Sequence, residues 1–173
     1  MSGEILLDYG LQLEACWLQN PAMPIEIERK FLVTGDYPQT DALPTVQAYL
    51  CKDPERTVRI RIEPERAVLA IKGKPIGLAR PEFEYEIPIQ EAQELMKLCI
   101  GSPVEKTRYH HRLGQHVWEI DVFHGGNEGL VVAEIELAAE DEEFDKPAWI
   151  GAEVSDDPRY ANSSLSSTPY TQW

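Results

Sequence analysis

At 173 residues, with 43% hydrophobic content and 27% charged residues, the chain is long enough to bury one apolar core and reads as a single folded domain. Its formal net charge of −14 argues against non-specific binding to nucleic-acid polymers and against docking on anionic membranes. No apolar run approaches bilayer-spanning length, and three cysteines without a disulfide framework or a CxxC pair fit a reducing, cytoplasmic setting.

Residues 1–23 differ in character from the rest of the chain and form an N-terminal extension to a domain spanning residues 24–173. Leu6, Leu7, Leu11, Leu13, Trp17 and Leu18 could stripe a loose amphipathic helix, interrupted at Gly10 and ended by Asn20-Pro21. This segment is either an arm that packs on the domain or binds a partner, or an extension ahead of a genuine start at Met23. It lacks the basic region and small-residue cleavage site of a targeting peptide.

From Pro24 to Val33 strict alternation predicts a strand, with Glu26, Glu28 and Lys30 on one face and Ile25, Ile27 and Phe31 on the other. Residues 35–44 read as a connector with one short helical turn. Val46–Cys51 is a second strand, closed by the turn signal Lys52-Asp53-Pro54. Thr57–Ile62 is a third, placing Arg59 and Arg61 opposite Val58, Ile60 and Ile62. Ala67–Gly73 carries Lys72, and Arg80–Ile87 sets Glu82, Glu84 and Glu86 against Phe83, Tyr85 and Ile87. Pro88 suits a helix start, and Glu91–Cys99 carries apolar residues at helical spacing. Val104–Arg112 and Val117–Phe123 form a hairpin across Leu113-Gly114-Gln115. After the turn at Gly125–Gly129, Leu130–Leu137 is the last long strand. The acidic run beyond it is a solvated helix end or loop. Trp149, Tyr160 and Leu165 suggest that the tail folds back on the domain.

Eight strands, each charged on one face and apolar on the other, predict a mostly β fold: an antiparallel barrel closed around a polar interior, with helices packed outside. Two glutamates two residues apart on a strand point the same way, about 7 Å apart. The pairs Glu26/Glu28 and Glu134/Glu136 could together supply hard oxygen ligands to Mg²⁺ or Mn²⁺. Either pair alone reads first as a solvated strand face; the metal reading gains force because both pairs sit beside apolar alternates. Arg59, Arg61, Lys106 and Arg108 share that geometry and could grip phosphate oxygens. A closed interior lined in this way would be costly unless the charges met one another, water or an anion. His110, His111, His116 and His124 have no zinc-ligand spacing, and no Gly-rich phosphate loop is present.

The ordered set Glu26-Ile27-Glu28-Arg29-Lys30, Thr57-Val58-Arg59-Ile60-Arg61, Ile71-Lys72-Gly73, Glu82-Phe83-Glu84-Tyr85-Glu86, Glu105-Lys106-Thr107-Arg108-Tyr109, Trp118-Glu119-Ile120-Asp121 and Ala133-Glu134-Ile135-Glu136 resembles the CYTH superfamily, the triphosphate tunnel metalloenzymes. The likeness runs from Pro24 to about Tyr160. It implies an eight-stranded tunnel and divalent-metal-dependent hydrolysis of a triphosphate, using Mg²⁺ or Mn²⁺, with two ions during catalysis. Carried over by motif, Glu26, Glu28, Glu134 and Glu136 lie at the metals. Lys30, Arg59, Arg61, Lys72, Lys106 and Arg108 bind the phosphate chain. Glu82 and Glu84 orient basic groups or assist the attacking water, Asp121 plays a similar part, and Glu119 supports them. A compact domain with no separate base-binding module makes inorganic tripolyphosphate the first choice of substrate, and Lys30 with Tyr49, which looks like the short bacterial tripolyphosphatase type, adds to it. Thiamine or nucleoside triphosphates, a cyclase reaction on the same fold, and a non-catalytic polyphosphate-binding module are the alternatives. The expected partner is a small triphosphate-containing anion, and a homodimer is left open.

Overall fold

The computed structural model describes residues 24–173, so the expectations about the N-terminal extension and a start at Met23 lie outside the described residues. Nine strands run in order: β1 (Ile25–Val33), β2 (Leu43–Asp53), β3 (Arg56–Ile62), β4 (Ala67–Gly73), β5 (Ala79–Ile87), β6 (Ile100–Leu113), β7 (His116–Phe123), β8 (Val131–Glu136) and β9 (Ile150–Glu153). Helix α1 (Ile89–Met96) lies between β5 and β6, and α2 (Asn162–Leu165) is a single turn near the C-terminus. The sheet order is β5-β4-β3-β2-β6-β7-β8-β1-β9, and pairing of β1 with β5 closes the first eight strands into a barrel. Every ladder is antiparallel. No helix among the described residues is long and apolar enough to cross a membrane.

The closing seam is short. Ile25, Glu26 and Ile27 of β1 oppose Pro81, Arg80 and Ala79 of β5. Beyond Ile27 the same edge of β1 is taken by β9, a strand the sequence pattern does not predict, which pairs at Phe31 and Val33. Strand β2 starts at Leu43, and residues 35–44 hold no helical turn. The reason is the 14-residue β6, which offers Arg108 and Thr107 as ladder partners to Leu43 and Pro44. Helix α1 begins at Ile89, two residues earlier than its apolar spacing predicts, because Pro88 supplies the helix entrance and its carbonyl accepts from Ala92.

Alternation puts most apolar residues of β1, β7 and β8 outside the barrel. There Phe31, Trp118, Ile120, Ala133 and Ile135 pack under Leu137, Phe144 and Trp149 of the loop after β8. Helix α1 covers Ile60 and Ala67 on the other side through Ala92. The inner face changes character along the barrel. On β1 and β8 the facing pairs run Glu28–Glu136, Lys30–Glu134 and then Leu32–Val132. At that last level the interior becomes apolar: Val104, Phe123, Leu130 and Val132 surround the fully buried Leu165 of α2. The tail is also fixed by polar contacts. Lys52 Nζ donates to Ser166 Oγ at 3.0 Å and Ser167 Oγ at 2.6 Å, Ser102 N–H donates to the Ser166 carbonyl, and Tyr170 N–H donates to Asn127 Oδ1. Gly101 makes this docking possible, since its φ is +74° and a Cβ there would stand 2.8 Å from the Ser166 carbonyl oxygen. One end of the barrel is therefore filled by its own C-terminal segment.

Candidate active site

A cavity of about 280 Å³ occupies the polar part of the barrel. Its walls include Glu26, Glu28 and Lys30 from β1, Tyr49 from β2, Arg59 and Arg61 from β3, Lys72 from β4, Glu82 and Glu84 from β5, Arg108 from β6, Glu119 from β7, and Glu134 and Glu136 from β8. Thirteen of the fifteen residues expected from the sequence thus line one space. They meet because each occupies the inward position of its strand, and the antiparallel register sets them side by side: Lys72 opposite Glu82, Lys30 opposite Glu134, Glu119 opposite Glu134, and Tyr49 opposite Arg59.

The other two, Lys106 and Asp121, do not reach the cavity lining. Asp121 is fully buried and Lys106 nearly so, and Lys106 Nζ contacts Asp121 Oδ2. Lys106 lies opposite Phe123 and Thr45, at the level where the interior turns apolar. The second function of Asp121 is to hold Arg108, which donates to both of its carboxylate oxygens at 2.7 Å. This pair supports the wall from behind.

Opposite charges are interleaved throughout. Lys30 Nζ lies 2.6 Å from Glu28 and 2.5 Å from Glu134. Glu26 is gripped by Lys72 at 2.9 Å and by Arg80 at 2.6 Å. Arg108 reaches Glu134 at 3.0 Å and also contacts Glu119. Glu84 lies 3.1 Å from Arg59 and 3.3 Å from Arg61. Glu136 makes no ion pair among the described residues.

These surroundings divide the carboxylates into two kinds. Burial opposes charge on Glu26 and Glu134, yet Lys72 and Arg80 around the first, and Lys30, Lys106 and Arg108 around the second, hold both well below the usual range. Glu119 is held down to about 2 against burial, chiefly by Arg108. Glu28 is pushed up to about 7 by burial and by the charge of Glu134, and Glu82 to about 7 by burial and Glu26. Glu136 is raised by burial, Glu119 and Glu26. Burial also lifts Tyr49 to about 12; its hydroxyl accepts from Gln47 Nε2 at 3.3 Å, beside a bulge that shifts the β2–β3 register between Tyr49 and Cys51.

Among the described residues no three Asp, Glu, His or Cys side chains are gathered as a ready-made metal cage, because the carboxylates turn to lysines and arginines instead. The donor set nonetheless fits a hard cation: every donor is a carboxylate oxygen, Glu136 has no ion-pair partner among the described residues, and burial and neighbouring carboxylates raise the proton affinities of Glu28 and Glu136.

Several lining residues lie outside the set expected from the sequence. Arg80 shares the inward face with Glu82 and Glu84, so the alternation that flags the glutamates also flags the arginine. Glu63 and Arg66 sit at the β3–β4 turn, where Arg66 Nε donates to Glu63 at 2.6 Å, and His110 stands 3.5 Å from Glu119. Ala161, Asn162 and Ser163 reach the cavity from the docked tail, and no local pattern announces them. The cavity opens where side chains are half exposed: Arg66 at 52%, His110 at 44% and Glu84 at 40%.

Comparison with known proteins agrees with this architecture. An inorganic triphosphatase of Acetivibrio thermocellus is 46% identical over 148 residues, covering 84% of this chain and 95% of its own length. One from Nitrosomonas europaea is 37% identical over 147 residues, covering 81% and 95%. A solved inorganic triphosphatase structure superposes with a TM-score of 0.59 at 34% identity, covering 82% of this chain and 93% of its own. The CYTH domain model matches residues 24–169, and the chain belongs to the CYTH family.

Proposed function

We propose that this protein is a cytosolic, divalent-metal-dependent inorganic triphosphatase that cleaves a terminal phosphoanhydride bond of tripolyphosphate. The observation that carries the reading is the composition of the cavity wall. Lys30, Arg59, Arg61, Lys72, Arg80 and Arg108 surround a space whose apolar lining, among the described residues, is limited to Leu43, Ala161 and the Tyr49 ring. Such walls suit a chain of phosphates and offer little surface on which a base or a thiazolium could stack. The names of the two relatives point to the same substrate.

In this reading Glu26, Glu28, Glu134 and Glu136 hold Mg²⁺ or Mn²⁺, two ions during turnover. Bound there, such ions would supply Lewis acidity at the phosphoryl group and a lowered pKa for the attacking water. The rest falls to the chain. The guanidinium forks of Arg59 and Arg61 would bind non-bridging oxygens in pairs, Arg108 would offer the edge it now gives to Glu119 and Glu134, and the Lys30 and Lys72 ammonium groups would act as mobile point charges. They stabilise charge as it shifts to the leaving pyrophosphate. Asp121 orients Arg108, and Glu84 steadies Arg59 and Arg61. Glu82, raised to about 7 by burial and the charge of Glu26, would accept a proton from the nucleophile at its carboxylate.

The test is phosphate release from tripolyphosphate, thiamine triphosphate and ATP, each with Mg²⁺, with Mn²⁺ and with chelator. Tripolyphosphate should be preferred, and chelation should abolish turnover. Binding of tripolyphosphate without metal-dependent release from any substrate would replace the enzyme with a polyphosphate-binding module.

A further inference from the structure

Resting on the triphosphatase reading, we propose that Arg80 is a further phosphate-binding cation, and that its hand-over from Glu26 couples metal binding to anion binding. Arg80 stands in the seam that closes the barrel, directly opposite Glu26. Its Nε lies 2.6 Å from Glu26 Oε2, its Nη2 lies 3.7 Å from Glu28 Oε2, and the side chain lines the cavity. Glu26 also takes Lys72 Nζ at 2.9 Å, so two cations share one carboxylate. That excess of positive charge is what a buried carboxylate does not need for its own neutralisation.

Glu26 thus has two competing uses. A dication bound through Glu26 would place its charge beside Arg80 and Lys72, and repulsion would drive them from the carboxylate. Lys72 retains a second carboxylate, Glu82 at 3.0 Å. The alternative for Arg80 is Glu28 at 3.7 Å, which belongs to the same proposed metal set. Glu82 also acts on Arg80, but Lys72 already holds that carboxylate at 3.0 Å, so Arg80 is the cation with the least counter-charge left to it when metal arrives, and it lines a cavity sized for phosphates. A phosphate that takes Arg80 in turn frees Glu26 for metal. By linkage each ligand raises the affinity of the other by the same factor.

The hand-over gives opposite signs for two titrations of R80Q. Calorimetry with Mg²⁺ alone should show tighter binding than wild type, by about threefold or more, because Glu26 has lost a competitor. Calorimetry with inorganic pyrophosphate at saturating Mg²⁺ should show weaker binding, by about tenfold or more. If Arg80 merely braces Glu26, R80Q weakens Mg²⁺ binding, which overturns the proposal. A loss of pyrophosphate affinity with unchanged Mg²⁺ affinity also overturns it, since Arg80 would then be a contact with no exchange. Should R80Q fail to fold, R80K keeps the charge but loses the fork. It should bind Mg²⁺ as wild type does and pyrophosphate about threefold or more weakly; identity with wild type in both titrations would overturn the idea. The underlying activity is judged separately. Wild-type protein that binds both probes but releases no phosphate from tripolyphosphate would sink the triphosphatase reading and leave the Arg80 exchange standing.

Discussion

Lys30 and Glu134 stand directly opposite each other in the β1–β8 ladder, with the lysine Nζ 2.5 Å from Glu134 Oε1. The same ammonium holds Glu28, so one cation separates two buried carboxylates. In K30M Glu134 keeps Arg108 at 3.0 Å and Glu28 keeps Arg80 at 3.7 Å, but the cation between the two crowded carboxylates is gone. Unfolding in denaturant should show a loss of about 3 kcal/mol, and kcat/KM for tripolyphosphate should fall about 100-fold or more. A folded K30M with wild-type turnover would remove Lys30 from the reaction.

Glu136 and Arg61 should fail in different ways. Glu136 makes no ion pair among the described residues, whereas Arg61 reaches Glu84 at 3.3 Å and Glu63 at 3.2 Å. E136Q should raise the Mg²⁺ concentration for half-maximal rate about tenfold, leaving KM for tripolyphosphate nearly unchanged at saturating metal. R61A should do the reverse, raising KM about tenfold with little change in metal requirement. Metal and substrate titrations of both variants check the split; the same defect in both would dissolve the distinction.

The pH dependence of stability is cleanest outside the cavity. Arg29 forms a two-point pair with Glu153 of β9, at 2.8 and 2.5 Å, and this holds the Glu153 carboxyl below its ordinary value. A depressed carboxylate stabilises the fold above its unfolded pKa, about 4.3, and the gain is lost as pH falls through the folded value. Both side chains are partly exposed, at 25% and 33%, so screening limits the effect to about 1 kcal/mol or less. E153Q should melt below wild type at pH 7, and the difference should shrink as pH falls below about 4 and vanish once pH is below the depressed folded value. A constant difference across that range would mean that the pair contributes through packing.

Leu165 anchors the tail. It is fully buried among Val104, Phe123, Leu130 and Val132. L165A should cost about 2–4 kcal/mol through lost burial and the cavity left behind. The released tail should then be cut by trypsin after Arg159 far faster than in wild type. Equal cleavage rates would show that the polar contacts of Lys52 and Tyr170 hold the segment without its apolar anchor.

Much of the site is legible in the chain because inward and outward residues alternate with period two. Spacing alone places Glu26, Glu28 and Lys30 on one face, and the ladder partners Glu134 and Glu136 obey the same rule. Alternation says which face a residue occupies, not how deep it lies. Lys106 and Asp121 have the right parity but the wrong depth, lying where Phe123 and Val132 fill the interior. Arg80 shows the opposite failure: its parity is visible, but its importance comes from the seam with Glu26, a pairing some fifty residues away. Strand β9 has only four residues, Ile150–Glu153, and forms because β1 leaves an edge free beyond Ile27. Asn162 and Ser163 reach the cavity only because Leu165 docks. Nothing in a Ser-rich segment encodes that before the barrel exists to receive it.

The apolar stopper has a kinetic consequence. With one end filled by the tail, arrivals and departures are directed to the mouth near Arg66, His110 and Glu84. The fragment lodged deeper must wait until the fragment nearer the doorway has left. Release of the two products is then a queue rather than a race, with its order set by which way round the phosphate chain went in.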